Sequence, residues 1–167
     1  MNQVNIKYHK TKYGELIIGS FNDKLCMLDW RYRKRRDSID TRILKALKTT
    51  FIENDTPIIK ETINQLDEYF NLERKKFDIP LLILGTPFQN SVWEALIKVP
   101  YGTTSSYLQL SKDIDNKKAI RAVANANGAN AISIIIPCHR IIGTNGELTG
   151  LGVKKKLLEL EQNLFTI

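Results

Sequence analysis

The sequence predicts a two-part α/β chain: a small N-terminal antiparallel β-sheet with helices, then a C-terminal helical domain with helix-turn-helix spacing. Three observations carry this. Three short β-rich runs fill the first 30 positions, two amphipathic helical patterns follow, and the second half ends in short helices across a tight turn. A chain of 167 residues suits one average domain or two small ones and can bury a real core. With 43% hydrophobic and 26% charged residues, wholesale disorder and low-complexity classes are excluded. The division is placed at residue 80, giving parts 1–80 and 81–167.

The strands are expected over residues 4–8, 15–21 and 25–30, with Tyr13-Gly14 and Asn22-Asp23 as the turns between them. Three antiparallel strands need a helix over one face. Residues 39–51 supply one, through Ile39, Ile43, Leu44, Leu47 and Phe51, and residues 59–70 a second, through Ile59, Ile63, Leu66, Tyr69 and Phe70. Residues 71–85 lack periodicity, contain Pro80 and read as an extended connection.

In the second half, Thr86-Pro87 opens a helix, because Thr caps and Pro is tolerated in the first turn. Phe88, Val92, Trp93, Leu96 and Ile97 continue it until Pro100-Tyr101-Gly102. Residues 105–112 form a short helix, 113–116 a polar turn, and 117–127 another helix that Gly128 closes as a left-handed cap. That last helix is crowded with alanines, and its only charges are Lys117, Lys118 and Arg121. A slim cationic helix approaches a nucleic-acid backbone closely, although a packed Ala-rich helix with a solvated basic face reads the same way. A final helix spans residues 153–164.

Net charge is +7, spread evenly: 16 basic against 12 acidic residues up to Gly85, and 9 against 6 beyond it. The densest cluster, Arg31, Arg33, Lys34, Arg35 and Arg36, follows a strand and fits a basic loop. No apolar run approaches the ~20 residues of a membrane span, and the N-terminus shows no apolar signal region. A cytoplasmic location and no membrane partner are expected. Two cysteines, Cys26 and Cys138, exclude a disulfide scaffold, and with His9 and His139 they show no ligand spacing, so no metal and no cofactor are expected.

The strongest chemical feature is Ile132-Ser133-Ile134-Ile135-Ile136-Pro137-Cys138-His139-Arg140. The β-branched run predicts a buried strand that Pro137 ends, leaving Cys138 aimed from a rigid strand end. Cationic His139 and Arg140 would favour its thiolate. On extended backbone, neighbouring side chains point to opposite faces, so His139 would reach the sulfur through a bent backbone or a water. The last helix offers Glu159 or Glu161 to orient the imidazole, on different sides of that helix. Cys26, inside Leu25-Cys26-Met27-Leu28, reads as a small core residue.

Pro137-Cys138-His139-Arg140 resembles the signature of the O6-alkylguanine-DNA alkyltransferases, the methylated-DNA–protein-cysteine methyltransferases. The context agrees: Gly85-Thr86-Pro87-Phe88-Gln89 and Trp93, then residues 100–107, Ala119-Ile120-Arg121-Ala122-Val123 and Asn130. The match runs from about Gln65 onward, and the first third resembles the family in organisation only. The resemblance implies a winged helix-turn-helix-like DNA-binding motif in the C-terminal part. It implies repair by direct reversal: an alkyl group passes once, irreversibly, from O6-alkylguanine or O4-alkylthymine in duplex DNA to Cys138 after base flipping. It makes His139 the water-linked base. It makes Glu161 its orienting carboxylate, from the match of Leu157-Leu158-Glu159-Leu160-Glu161 to the family's ending. Tyr107 would assist nucleotide rotation and donate to the leaving group, and Arg121 would be the finger entering the minor groove. Lys117, Lys118 and Ala122 would lie along the duplex, Asn130 would support the site by bridging the recognition helix to the active-site turn, and Arg140 and Pro137 would support it too. The partner would be double-stranded DNA carrying alkylated bases, met by a monomer.

One departure is visible. Where the family has a Tyr-Ala-Gly-Gly or Tyr-Ser-Gly-Gly stretch, residues 146–152 read Gly-Glu-Leu-Thr-Gly-Leu-Gly. Three rival classes are a damage binder without an acceptor, a helix-turn-helix regulator and a Cys-His hydrolase. The presence of Cys138 counts against the first two, and the one-residue Cys–His spacing against the third.

Overall fold

The computed structural model describes residues 2–143 and 152–162. Two compact units emerge, Met1–Gly85 and Thr86–Ile167.

In the first unit β1 (Val4–Thr11), β2 (Gly14–Phe21) and β3 (Lys24–Trp30) form an antiparallel meander. Asn22 and Asp23 both take positive φ, 49° and 61°, the paired left-handed turn that a two-residue hairpin requires. Gly14, at φ 140°, opens β2 in a conformation a side chain would strain. Helix α1 runs Arg36–Leu47, not to residue 51 as periodicity suggested. Lys48 turns left-handed at φ 54°; its N–H closes on the Lys45 carbonyl and that of Thr49 on the Leu44 carbonyl. Phe51 then enters β4 (Phe51–Glu53), which pairs parallel with β1. The sheet is therefore mixed, in the order β3-β2-β1-β4, rather than purely antiparallel. Phe51 keeps the i, i+4 spacing of Ile43 and Leu47, so periodicity alone could not see the reversal at Lys48.

Helix α2 (Pro57–Phe70) starts on a Thr56 cap and packs Ile59, Leu66, Tyr69 and Phe70 into the core over the sheet. Much of the basic cluster is absorbed by one buried carboxylate: Arg33 and Arg36 each reach Asp29 at 3.0 Å, and Arg31 pairs with Glu15. The connection stays with this unit to Gly85. Leu25 donates to the Pro80 carbonyl and accepts from Leu82, both at 2.8 Å, beside an isolated bridge to Leu81.

The second unit begins with α3 (Pro87–Ile97), closed by a reciprocal capping box between Thr86 and Gln89. Val92, Trp93 and Leu96 are buried, whereas Ile97 is exposed. Gly102, at φ 77°, makes the turn after Pro100. Strand β5 is Ser105–Ser106, so α4 starts later than expected, at Tyr107–Asp113, on a Ser106 cap. Helix α5 spans Ile120–Gly128 and leaves Lys117 and Lys118 in the preceding turn. Gly128 is its last residue and is not left-handed. Ala129 ends the helix at φ −88°, its N–H satisfied by the Asn125 and Ala126 carbonyls, which removes the need for a glycine cap. Helices α3, α4 and α5 pack together, and Trp93 Nε1 donates to the Ala126 carbonyl at 2.9 Å.

The expected strand over residues 132–136 is not formed. These residues make tight turns: Ile136 N–H bonds the Ile132 carbonyl at 3.0 Å, and Ile134 sits at φ 71°. A β-branched residue there costs ~1–2 kcal/mol. The Asn130 side chain offsets it. It donates to the carbonyls of Ile132 (3.2 Å) and Ile136 (2.8 Å) and accepts from Ile132 N–H (3.0 Å), each bond worth ~1 kcal/mol. Apolar content buries the run, and Asn130 decides its shape. A 3-10 turn, Cys138–Arg140, follows. Strand β6 (Ile141–Ile142) then pairs parallel with β5, and α6 (Gly152–Gln162) completes the unit. Residues 146–151 of the altered stretch lie outside the described residues. Among those described, no helix is long and apolar enough to cross a membrane.

Candidate active site

Cys138 opens the 3-10 turn, held between two fixed points. Upstream, Pro137 is buried and the Asn130-closed loop ends at Ile136, whose carbonyl accepts from Cys138 N–H at 2.7 Å. Downstream, Ile141 and Ile142 pair with Ser105 and Ser106. Because Tyr107 directly follows Ser106, this two-residue sheet ties the start of α4 to the end of the Cys138 turn. Cys138 and Tyr107 are half-buried.

His139 and Arg140 behave differently from the expectation of a cationic field around the thiol. Both turn into the protein onto Glu161, on the buried side of α6, while Glu159 is exposed. His139 Nε2 lies 2.6 Å from Glu161 Oε2. Arg140 donates from Nε to Oε1 at 2.8 Å and from Nη2 to Oε2 at 2.9 Å. Its Nη1 donates to the Val99 carbonyl at 2.7 Å, and the guanidinium lies 5.7 Å from the Tyr101 ring. Burial pushes the Glu161 carboxyl up, but the hydrogen bonds and charges of His139 and Arg140 prevail and hold its pKa at about 2. Burial lowers the His139 pKa. Glu161 opposes this, and Arg140 and Lys154 add to it. The imidazole is thus neutral near pH 7, its Nε2 engaged by the carboxylate. Its buried Nδ1 has no hydrogen-bond partner among the described residues. A neutral ring fixed at one nitrogen and open at the other is the arrangement of a general base.

Arg121 and Ala122 are exposed in the first turn of α5, and Lys117 and Lys118 are exposed just before it. Asn130, buried, serves the 132–136 loop.

Two residues escaped the sequence reading. Lys154 places its Nζ 5.8 Å from the centre of the Tyr107 ring and contributes to the field on His139. It lies seven residues, about two turns, before Glu161, and that same-face spacing was the available signal. Asn127, buried in α5, donates from Nδ2 to the Cys138 carbonyl at 3.4 Å. It interrupts the apolar stripe of Val123 and Ala126, which marks it as a polar residue facing inward. Among the described residues, no group of three or more His, Cys, Asp or Glu side chains is placed to hold a metal ion.

Comparisons with known proteins agree along the whole chain. Residues 87–163 match the family model of the 6-O-methylguanine DNA methyltransferase DNA binding domain, and residues 5–83 that of its ribonuclease-like domain. The constitutive methylated-DNA–protein-cysteine methyltransferase of Bacillus subtilis is 39% identical over 158 residues, 92% of each chain. The methylated-DNA–protein-cysteine methyltransferase of Methanosarcina mazei is 49% identical over 117 residues, 68% of this chain and 73% of its own. Among solved structures, the Mycobacterium tuberculosis O6-methylguanine methyltransferase superposes with a TM-score of 0.82 at 35% identity, covering 96% of this chain and 94% of that one. The same organism's OGT in complex with DNA gives 0.81 at 35% identity, covering 95% and 93%.

Proposed function

The chain belongs to the 6-O-methylguanine DNA methyltransferase family, and on that premise we propose that it repairs duplex DNA by direct reversal, moving one alkyl group from O6 of guanine, or O4 of thymine, onto Cys138. The single observation that carries this reading is the buried Glu161–His139 pair next to a half-buried cysteine, with Nδ1 of the imidazole left open.

The chemistry follows from that arrangement. The alkylated oxygen is stacked inside the duplex, so the nucleotide must rotate out, at a cost of a few kcal/mol. Arg121, exposed on a slim helix with Ala122 beside it, fills the gap, and Lys117 and Lys118 meet phosphates. His139, through a water, takes the thiol proton. The thiolate attacks the alkyl carbon in line, the S–C bond forms and the C–O bond breaks. The electron pair left on oxygen becomes the base carbonyl as the proton passes to the ring nitrogen. Tyr107 donates a hydrogen bond to the leaving base. Asn130, Arg140 and Pro137 hold the turn. All groups come from one chain, so a monomer suffices. A cytoplasmic setting keeps the thiol reduced.

Intact-protein mass spectrometry after incubation with a duplex carrying one O6-methylguanine tests the reading. The protein should gain one methyl group, mapped to Cys138, and Cys138→Ser should bind the duplex and gain none. Methyl transfer by the serine variant refutes the assignment.

A further inference from the structure

We infer that Asn127 is a positioning residue that sets the register between the DNA-facing helix α5 and the nucleophile, an inference that rests on the function proposed above. Sequence resemblance gave the bridging role to Asn130, but Asn130's bonds to Ile132 and Ile136 close the loop that precedes Cys138. From α5 itself, Asn127 reaches Cys138, through its Nδ2 on the Cys138 carbonyl at 3.4 Å.

The placement makes the contact consequential. Arg121 and Asn127 lie six residues apart on α5, about 240° around the helix at 100° per residue, so one faces solvent and the other the interior. The C-terminal turn of α5 is already pinned by Trp93 Nε1 on the Ala126 carbonyl, one residue before Asn127. The Cys138 carbonyl also accepts the N–H of Ile141, which ends the 3-10 turn. Asn127 thus grips the turn at the carbonyl of the reacting residue. The rest of its amide supports a positional rather than a stabilising role. Oδ1 is buried without a hydrogen-bond partner among the described residues, a cost for stability that an apolar residue of similar size would avoid. A rotated base still attached to its duplex must find Cys138 at a set distance from α5. A free base carries no such constraint.

The test compares wild type with Asn127→Leu, which keeps the volume and removes the donor, in single-turnover transfer. The substrates are a duplex containing O6-methylguanine and free O6-benzylguanine. The expected result is a saturating rate on duplex lowered roughly tenfold, within the ~100-fold that a misplacement of about 1 Å can cost. Duplex Kd should stay within about twofold, and the rate on free base should be nearly unchanged. Equal losses on both substrates, a raised Kd alone, or no change in rate would each overturn the proposal. Should the leucine variant fail to fold, Asn127→Ser, too short to reach the carbonyl, is measured in its place. A wild-type protein that transfers nothing to Cys138 would refute the proposed function instead.

Discussion

Replacing Glu161 with Gln removes one charge from a buried triad and leaves the shape nearly intact. In the wild type, Glu161 accepts from His139 and twice from Arg140, at 2.6, 2.8 and 2.9 Å. Its carboxyl falls from an ordinary 4.5 to about 2, which corresponds to about 3 kcal/mol in favour of the ionised fold. That agrees with the ~3–5 kcal/mol lost when one partner of a buried pair is removed. Because the folded-state pKa is depressed, this contribution is complete above about pH 4.5 and is lost as pH falls toward 2. At pH 3 roughly 1 kcal/mol of it remains. His139 is also depressed, and more deeply once the Glu161 charge that opposes the depression is gone, so below pH 6.5 the variant carries an added penalty, and pH 7, where the imidazole is neutral in both proteins, gives the clean comparison. Urea unfolding of wild type and Glu161→Gln at pH 7 should differ by about 3 kcal/mol. A gap below about 1 kcal/mol would refute the ionised triad. The amide can also donate to His139 Nε2 and so move the ring proton to Nδ1, removing the base. Transfer should slow by about 100-fold or more.

Arg121→Ala should slow repair of a duplex by roughly 10- to 100-fold, from losing part of the few kcal/mol that hold the opened stack, and leave reaction with a free alkylated base unchanged. Equal losses on both would assign Arg121 to the fold. The pH–rate profile should keep its plateau below pH 6.5, because the lowered His139 pKa leaves the base neutral there, and stopped-flow or quench measurements that find the acid limb above 6.5 would contradict a buried neutral imidazole. With methylated duplex in excess, methyl groups transferred should stop at one per protein, since a thioether offers no easy leaving group, and continued turnover past one equivalent would refute irreversible acceptance.

The site was more legible than the backbone that carries it. Cys138, His139 and Arg140 are contiguous, and their chemistry reads directly from residue type. Glu161 could be set apart from Glu159 only by resemblance, because both lie on one helix and only packing selects the inward face. The 132–136 run misled for a definite reason. β-branched residues report burial and stiffness, and both hold here, but strand formation also needs a partner ladder. Asn130 offers the same backbone groups a nearer partner, a local competition that apolar periodicity does not register. Lys48 and Gly128 misled in opposite senses. A lysine took the left-handed position that ends α1, and a glycine at the end of α5 did not. Asn127 was readable as a polar residue on an apolar stripe, but its target, a carbonyl 11 positions away, was not.

The two cysteines show why the site needs this geometry rather than a reactive residue alone. Cys26 lies in the core of the first unit, where burial pushes its thiol up to about 12 and its Sγ faces the Gly19 carbonyl at 3.6 Å. It stays a thiol at any physiological pH, and its hydrogen-bond partner among the described residues is a backbone carbonyl rather than a base. Cys138 differs on both counts: it is half-buried, and the next residue is an imidazole held neutral. The Arg140 guanidinium, whose charge would otherwise favour a thiolate, is instead turned onto Glu161 inside the protein. On the proposed mechanism, activation comes from proton transfer to His139 and from hydrogen bonds to the departing base, the latter only once a base is seated beside Tyr107. A nucleophile used only once, as proposed, gains from this arrangement. A permanently exposed thiolate would be consumed by small electrophiles, whereas one generated by a positioned base would be kept for the substrate that α5 is proposed to deliver.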